Sequence, residues 1–162
     1  MPTRFLNPQG VHTPAGPYSH TAAVAPGTEL IFISGQVGVR PDGSIPAAFA
    51  DQAEATFENV GACLAAHGLG VDAVVKLGVF VLPGQDFRLL RAIREKHFGA
   101  HRPTSTTVYV PQLASPAFLL EVEAVAVKVS RVTPARGVRA APRSRAKSKP
   151  DAKPKPKRKR GG

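Results

Sequence analysis

Glu121 and Glu123 stand two residues apart in the run FLLEVEAVAVKV, where a β-strand puts both on the face that also carries Val125 and Val127. Carboxylates on an apolar face are costly unless they are paired or work at a site. The bland reading is an ion pair with Lys76 on a neighbouring strand. The chemical reading is that they work at a functional site. A second stretch, RPTSTTVYV from Arg102 to Val110, alternates Ser105, Thr107 and Tyr109 on one face with Thr104, Thr106, Val108 and Val110 on the other. Past Arg102 it carries no charge, so a pocket lined by this strand receives only hydroxyls from it.

Other chemistries find little support. The five histidines, His12, His20, His67, His97 and His101, are scattered without metal-ligand spacing, and the single cysteine, Cys63, excludes a disulfide within the chain. A Cys-based metal site is not expected, and Cys63 reads as a small buried helix residue. No basic-then-apolar pattern opens the chain at MPTRFLNPQG, and no apolar run is long enough to cross a bilayer. A soluble protein of the reducing cytoplasm, without membrane attachment, is the expectation.

The elements that must position these residues lie in residues 1–130, which carry nine Lys or Arg against ten Asp or Glu. Residues 131–162 carry thirteen against one, so the whole net charge of +11 belongs to them. This second segment has no aromatic residue and little to bury, which predicts a disordered tail rich in Lys, Pro and Arg. Its charge fits polyanions. Attachment to nucleic acid through phosphate contacts and a plain solubilising role are the competing readings, with a nuclear address as a third.

Within 1–130, a Pro- and Gly-rich entry leads to a strand at LIFISGQVGV and a turn at Asp42-Gly43. Phe49, Ala53, Phe57, Val60 and Leu64 recur at helical spacing up to a stop at His67-Gly68. DAVVKLGVFVL reads as a strand ended by Pro83-Gly84, and a second helix follows in which Phe87, Leu90, Ile93, Arg94 and His97 bracket one face before Gly99. The strands around Ser105 and Glu121 complete the order. This predicts an α+β sheet with both helices on one face. The last strand is largely apolar on both faces, so the other face of the sheet wants a partner copy.

GPYSHTAAV, IFISGQVG, QAEATFENVGACLAAHGLGVDAVVKLGVFV and LLEVEAVAV, in this order and spacing over roughly residues 12–129, resemble the Rid proteins. These are also called the YjgF or RidA family and were formerly grouped with ribonucleases. The resemblance implies a chorismate-mutase-like α+β fold, a homotrimer and three small-molecule pockets at subunit interfaces. It also implies cofactor-free hydrolysis of enamines and imines to a 2-keto acid and ammonia. Carried over to this chain, the pocket comprises Tyr18, Ser34, Gly35, Arg91, Ser105, Thr107 and Glu121. Glu121 would activate the attacking water, Tyr18 would orient the substrate or close the pocket, and Gly35 would let backbone approach the ligand.

One departure matters. RidA-type deaminases have Pro-Ala-Arg-Ser-Cys-Val where this chain has Pro103-Thr104-Ser105-Thr106-Thr107-Val108, and the arginine matching Ser105 holds the substrate carboxylate. Hydrogen bonds to charged groups are worth about 1.5–3 kcal/mol each, against about 1 for a neutral one, so a serine is no substitute. Arg91 stands where the family commonly has Asn and is the first candidate to restore the charge, the competing reading being that it points to solvent beside Arg88 and Arg94 on an arginine face of the helix; Arg102 is a weaker candidate. The resulting expectation is a weakened or altered deaminase that binds a small polar metabolite. The rival is a non-catalytic trimeric binding module with a nucleic-acid-binding tail. Ribonuclease activity rests on the family's former name alone.

Overall fold

The structure is a computed structural model that describes residues 3–129. The basic segment 131–162, and with it the tail's expected disorder and polyanion binding, lies outside the described residues. The elements follow in the order β1 (Thr3–Leu6), β2 (Thr21–Val24), β3 (Thr28–Val37), α1 (Phe49–Ala66), β4 (Val74–Val81), α2 (Phe87–Phe98), β5 (Thr104–Tyr109) and β6 (Leu120–Val129). No helix among the described residues is long and apolar enough to cross a membrane.

The main sheet has strand order β3-β6-β4-β5. β4 and β5 run parallel, and α2 supplies the crossover that parallel neighbours require. The other two pairings are antiparallel. The N-terminal stretch, for which the sequence predicts no strand, contains β1 and β2, which pair antiparallel with Phe5 opposite Ala22. Four-residue strands flanked by turn residues are too short to display an alternation, which is why this small sheet has no sequence signature.

Both helices pack on one face, as expected for the α+β arrangement. Ala53, Phe57, Val60 and Leu64 of α1 and Leu90, Ile93 and Phe98 of α2 share a core with Leu77, Val79, Val81, Leu120, Val122 and Ala124 of the sheet. Cys63, expected to be buried, is half-buried, because it falls on the flank of the α1 stripe and only packs against the edge of the core. α2 begins at Asp86, whose carboxylate accepts the Arg88 and Leu89 N–H groups at 2.8 and 3.3 Å. It ends at Gly99, which adopts the left-handed φ of 54° that a side chain would resist.

The register assigns every residue of the site to a face. Val79 lies opposite Val122 and Thr107, whereas Phe80 lies opposite Glu121 and Val108. Ser105 and Thr107 therefore point to the helix side, and Glu121 and Glu123 to the other. In a single chain that other face is open, with Phe32 75% exposed and Leu30 48%.

The two helices are also clasped at the surface. Glu54 of α1 meets Lys96 Nζ at 2.8 Å and His97 Nε2 at 2.7 Å, both from α2. Lys96 foremost, and His97 with it, hold the Glu54 carboxyl below its ordinary value against the opposing effect of burial. A depressed carboxyl contributes stability above the ordinary carboxylate range and loses it as pH falls through the folded value. Glu54→Gln is thus expected to lower stability by about 0.5–1 kcal/mol at pH 7 and by nothing measurable once the carboxyl is protonated, as read by urea unfolding at both ends of the range.

Candidate functional site

A cavity of about 290 Å³ opens on the helix side, between α2, β5 and the loop before β2. Tyr18, Arg91, Ser105 and Thr107, four of the residues singled out from the sequence, line it together with Phe87 and Arg94. The loop is tied to the start of β5 by Ser19, whose hydroxyl donates to Arg102 O at 2.7 Å and whose N–H donates to Pro103 O at 3.2 Å. The Tyr18 hydroxyl accepts the Ala15 N–H at 3.4 Å. Its ring packs edge-on against His20 at 5.6 Å, and His20 packs edge-on against His12 at 5.1 Å. Two histidines that look scattered along the chain thus meet beside the cavity. Among the described residues no group of three or more His, Cys, Asp or Glu is placed to hold a metal ion.

Arg94 brings a buried charge to this cavity, which Arg91 also lines. Helical spacing puts Arg94 among the apolar residues of α2, and it is only 8% exposed. Its Nη1 donates to Ser105 Oγ at 3.1 Å and its Nη2 to Pro17 O at 2.9 Å. Burial, helped by the nearby charge of Arg102 and opposed by Glu95, pulls the guanidinium down to about 10. It stays protonated at neutral pH. Arg91, one turn earlier, is the more exposed of the two. Its Nε meets Glu95 Oε1 at 3.3 Å, with both side chains at least 40% exposed, and its Nη1 donates to Ala15 O at 3.3 Å. The sequence signal for Arg94 was present, since an arginine inside an apolar helical stripe is out of place, but its contact with Ser105 depends on how α2 folds back over β5.

Ser34, Gly35 and Glu121 gather on the opposite face. The pairing of β3 with β6 slips between Ile33 and Gln36, so Ser34 and Gly35 form a bulge. Glu121 lies directly over Gly35: a Cβ built there would stand 2.6 Å from Glu121 Cδ and closer still to Oε1. Only glycine leaves room for the carboxylate. Glu123 lies over Gly78 in the same manner, with a built Cβ 2.9 Å from its Cδ. Neither glutamate takes the ion pair considered for it. Lys76 instead donates to Thr106 Oγ1 at 2.6 Å, and among the described residues it makes no salt bridge. The seven candidates therefore form two clusters on opposite faces of one sheet.

The comparisons with known proteins agree with this architecture. Residues 10–128 match the family described as endoribonuclease L-PSP. The chain is 38% identical over 103 residues to TdcF of Escherichia coli K12, named for reactive intermediate deamination, covering 61% of this chain and 79% of that protein. It is 29% identical over 128 residues to a protein of Dermatophagoides farinae named 2-iminobutanoate/2-iminopropanoate deaminase, covering 78% and 97%. The crystal structure of E. coli TdcF with bound serine superposes with a TM-score of 0.58 at 33% identity, covering 73% of this chain and 97% of that one. With a family match over most of the described residues, and with the same strands and helices behind it, the chain belongs to the Rid family, also known as the YjgF or L-PSP family.

Proposed function

We propose that this protein is a cofactor-independent hydrolase that releases ammonia from small reactive imines or enamines, acting as a homotrimer with sites between copies. The observation that carries this reading is the placement of the candidate residues. The carboxylate cluster of Ser34, Gly35 and Glu121 and the cavity cluster of Tyr18, Arg91, Ser105 and Thr107, joined there by Arg94, lie on opposite faces of the sheet, so neither makes a complete site within one chain. A second copy laid on the open face would bring one cluster to the other. It would also cover Phe32 and Leu30, whose exposure in a single chain is otherwise costly.

In such a site the substrate sits against the hydroxyls of Ser105 and Thr107, and Tyr18 closes over it. Glu121 takes a proton from water as the oxygen bonds to the imine carbon. Glu121 passes that proton to the nitrogen, and the carbinolamine collapses as the hydroxyl proton also moves to nitrogen, which leaves as ammonia with the C–N bonding pair while the oxygen lone pair closes the carbonyl. The names of TdcF and of the D. farinae deaminase support this reaction class.

The test is ammonia release from 2-iminobutanoate and 2-iminopropanoate generated in situ by a pyridoxal-phosphate dehydratase, with light scattering on the same samples. A trimer that accelerates release above the spontaneous rate is expected. A trimer with no acceleration would leave a binding module, and a stable monomer would remove the shared site altogether.

A further inference from the structure

We infer that Arg94 is the receptor for a compact monocarboxylate in the helix-side cavity, so that in this chain the charged clamp enters from α2 rather than from β5. The inference rests on the proposed reading of the cavity as the substrate site, and it adds the ligand class and the residue that selects it.

Burial is the first reason. Arg94 is 8% exposed, yet among the described residues it makes no ion pair. A buried guanidinium without a counter-charge in its own chain is costly, so an anion has to meet it, from a ligand or from the Glu121 carboxylate that the proposed assembly carries to this cluster. Spare donors are the second. A guanidinium has five N–H groups, and the contacts to Ser105 Oγ and Pro17 O leave the planar fork unsaturated. Arg91 is no rival for this task, because Glu95 already neutralises it. The direction of the Arg94 shift agrees, since burial without an anion disfavours its charged form and an anion would restore it.

The cavity also selects the anion. Ser105 and Thr107 offer hydroxyls beside the fork, while Pro17 and Phe87 supply apolar walls, and about 290 Å³ accommodates a short carbon chain. A carboxylate matches the guanidinium fork in two parallel hydrogen bonds. A phosphate dianion would demand more positive charge than one buried guanidinium provides. Ser105 becomes intelligible as well. Its hydroxyl lies 3.1 Å from Arg94 Nη1, so an arginine at 105 would set two guanidinium groups against each other.

The experiment titrates 2-oxobutanoate into the full-length protein by calorimetry, comparing wild type, Arg94→Lys, Arg94→Met, Ser105→Arg and the pair Arg94→Met/Ser105→Arg. Circular dichroism and light scattering verify each fold and assembly. Arg94→Met should weaken binding roughly 10- to 100-fold, and Arg94→Lys should recover only part of the loss. Ser105→Arg alone should bind no better than wild type, whereas the pair should regain most of the affinity. That rescue distinguishes an anion clamp from a staple that merely holds the loop through Pro17. Undiminished binding by folded Arg94→Met would overturn the inference, as would no binding to wild type at millimolar 2-oxobutanoate. Inorganic phosphate binding as tightly as 2-oxobutanoate would overturn the choice of carboxylate. Should Arg94→Met fail to fold, an Arg94→Lys protein with wild-type affinity overturns it equally. Ammonia release measured in parallel separates the two readings. Arg94-dependent binding without ammonia release in any variant keeps the clamp and removes the deaminase, while release undiminished in Arg94→Met does the reverse.

Discussion

Gln52→Leu is expected to cost about 2–4 kcal/mol of folding stability, a large fraction of the roughly 5–15 kcal/mol available to a domain. Gln52 sits on α1 at 1% exposure. Its Nε2 donates to Pro46 O and to Ala117 O, each at 2.8 Å, and its Oε1 accepts the Leu119 N–H at 2.9 Å. One side chain thus fastens the loop before α1 and the approach to β6 to the same helix. Leucine has nearly the same size, so the packing survives and the effect isolates the hydrogen bonds. Three backbone groups then lose a partner, the Pro46 carbonyl buried and the Ala117 carbonyl and Leu119 N–H half-buried, at about 1–3 kcal/mol for each that water cannot reach. Nor can the helix shift to compensate, because a Cβ at Gly38 would stand only 2.6 Å from Gln52 Cα, showing how closely the backbones meet. Urea unfolding followed by circular dichroism measures the loss. A change below about 1 kcal/mol would mean that water replaces these contacts.

The largest effect on activity is expected at Glu121. Glu121→Gln keeps shape and removes the proposed base, and loss of a positioned general base lowers turnover by about 10²- to 10⁴-fold. Glu121 is half-exposed on the open face in a single chain, away from the core beneath the helices, so the variant should unfold at the wild-type denaturant concentration. Gly35→Ala provides the positional control. It retains the carboxylate but puts a Cβ in the space Glu121 occupies, forcing the side chain to swing away. Both variants should lose ammonia release, Glu121→Gln with the side chain still in place and Gly35→Ala with the carboxylate intact but displaced. Wild-type turnover in Glu121→Gln would remove this residue from the chemistry and leave water activation to another group.

Much of the fold was legible because each helix and each long strand obeys a local rule. The α1 stripe of Phe57, Val60 and Leu64 and the run at Val74–Val81 declare their periods within a few residues, and Gly68 and Gly99 mark the helix ends. β1 and β2 declare nothing, since four residues carry no measurable period and their pairing joins segments that are distant in sequence. The functional residues divide along the same line. Glu121 is conspicuous by itself, as a carboxylate in an apolar strand. Its perch over Gly35 depends on a bulge that shifts the register by one residue, and such a slip is invisible until β3 has paired with β6.

By itself the sequence determined that the chain makes an α+β sheet with two helices, that its positive charge is segregated beyond residue 130, and that β5 brings hydroxyls to whatever it lines. These are properties of composition and short-range period, which physics reads over one or two turns of chain. Only the tertiary structure decided which cation accompanies those hydroxyls. Arg91 and Arg94 are three residues apart on one helix and equally basic, and the packing of α2 over β5 sends Arg91 toward Glu95 and solvent and Arg94 inward to Ser105. The difference is a matter of helix rotation against a sheet, set by where Leu90, Ile93 and Phe98 bury their side chains.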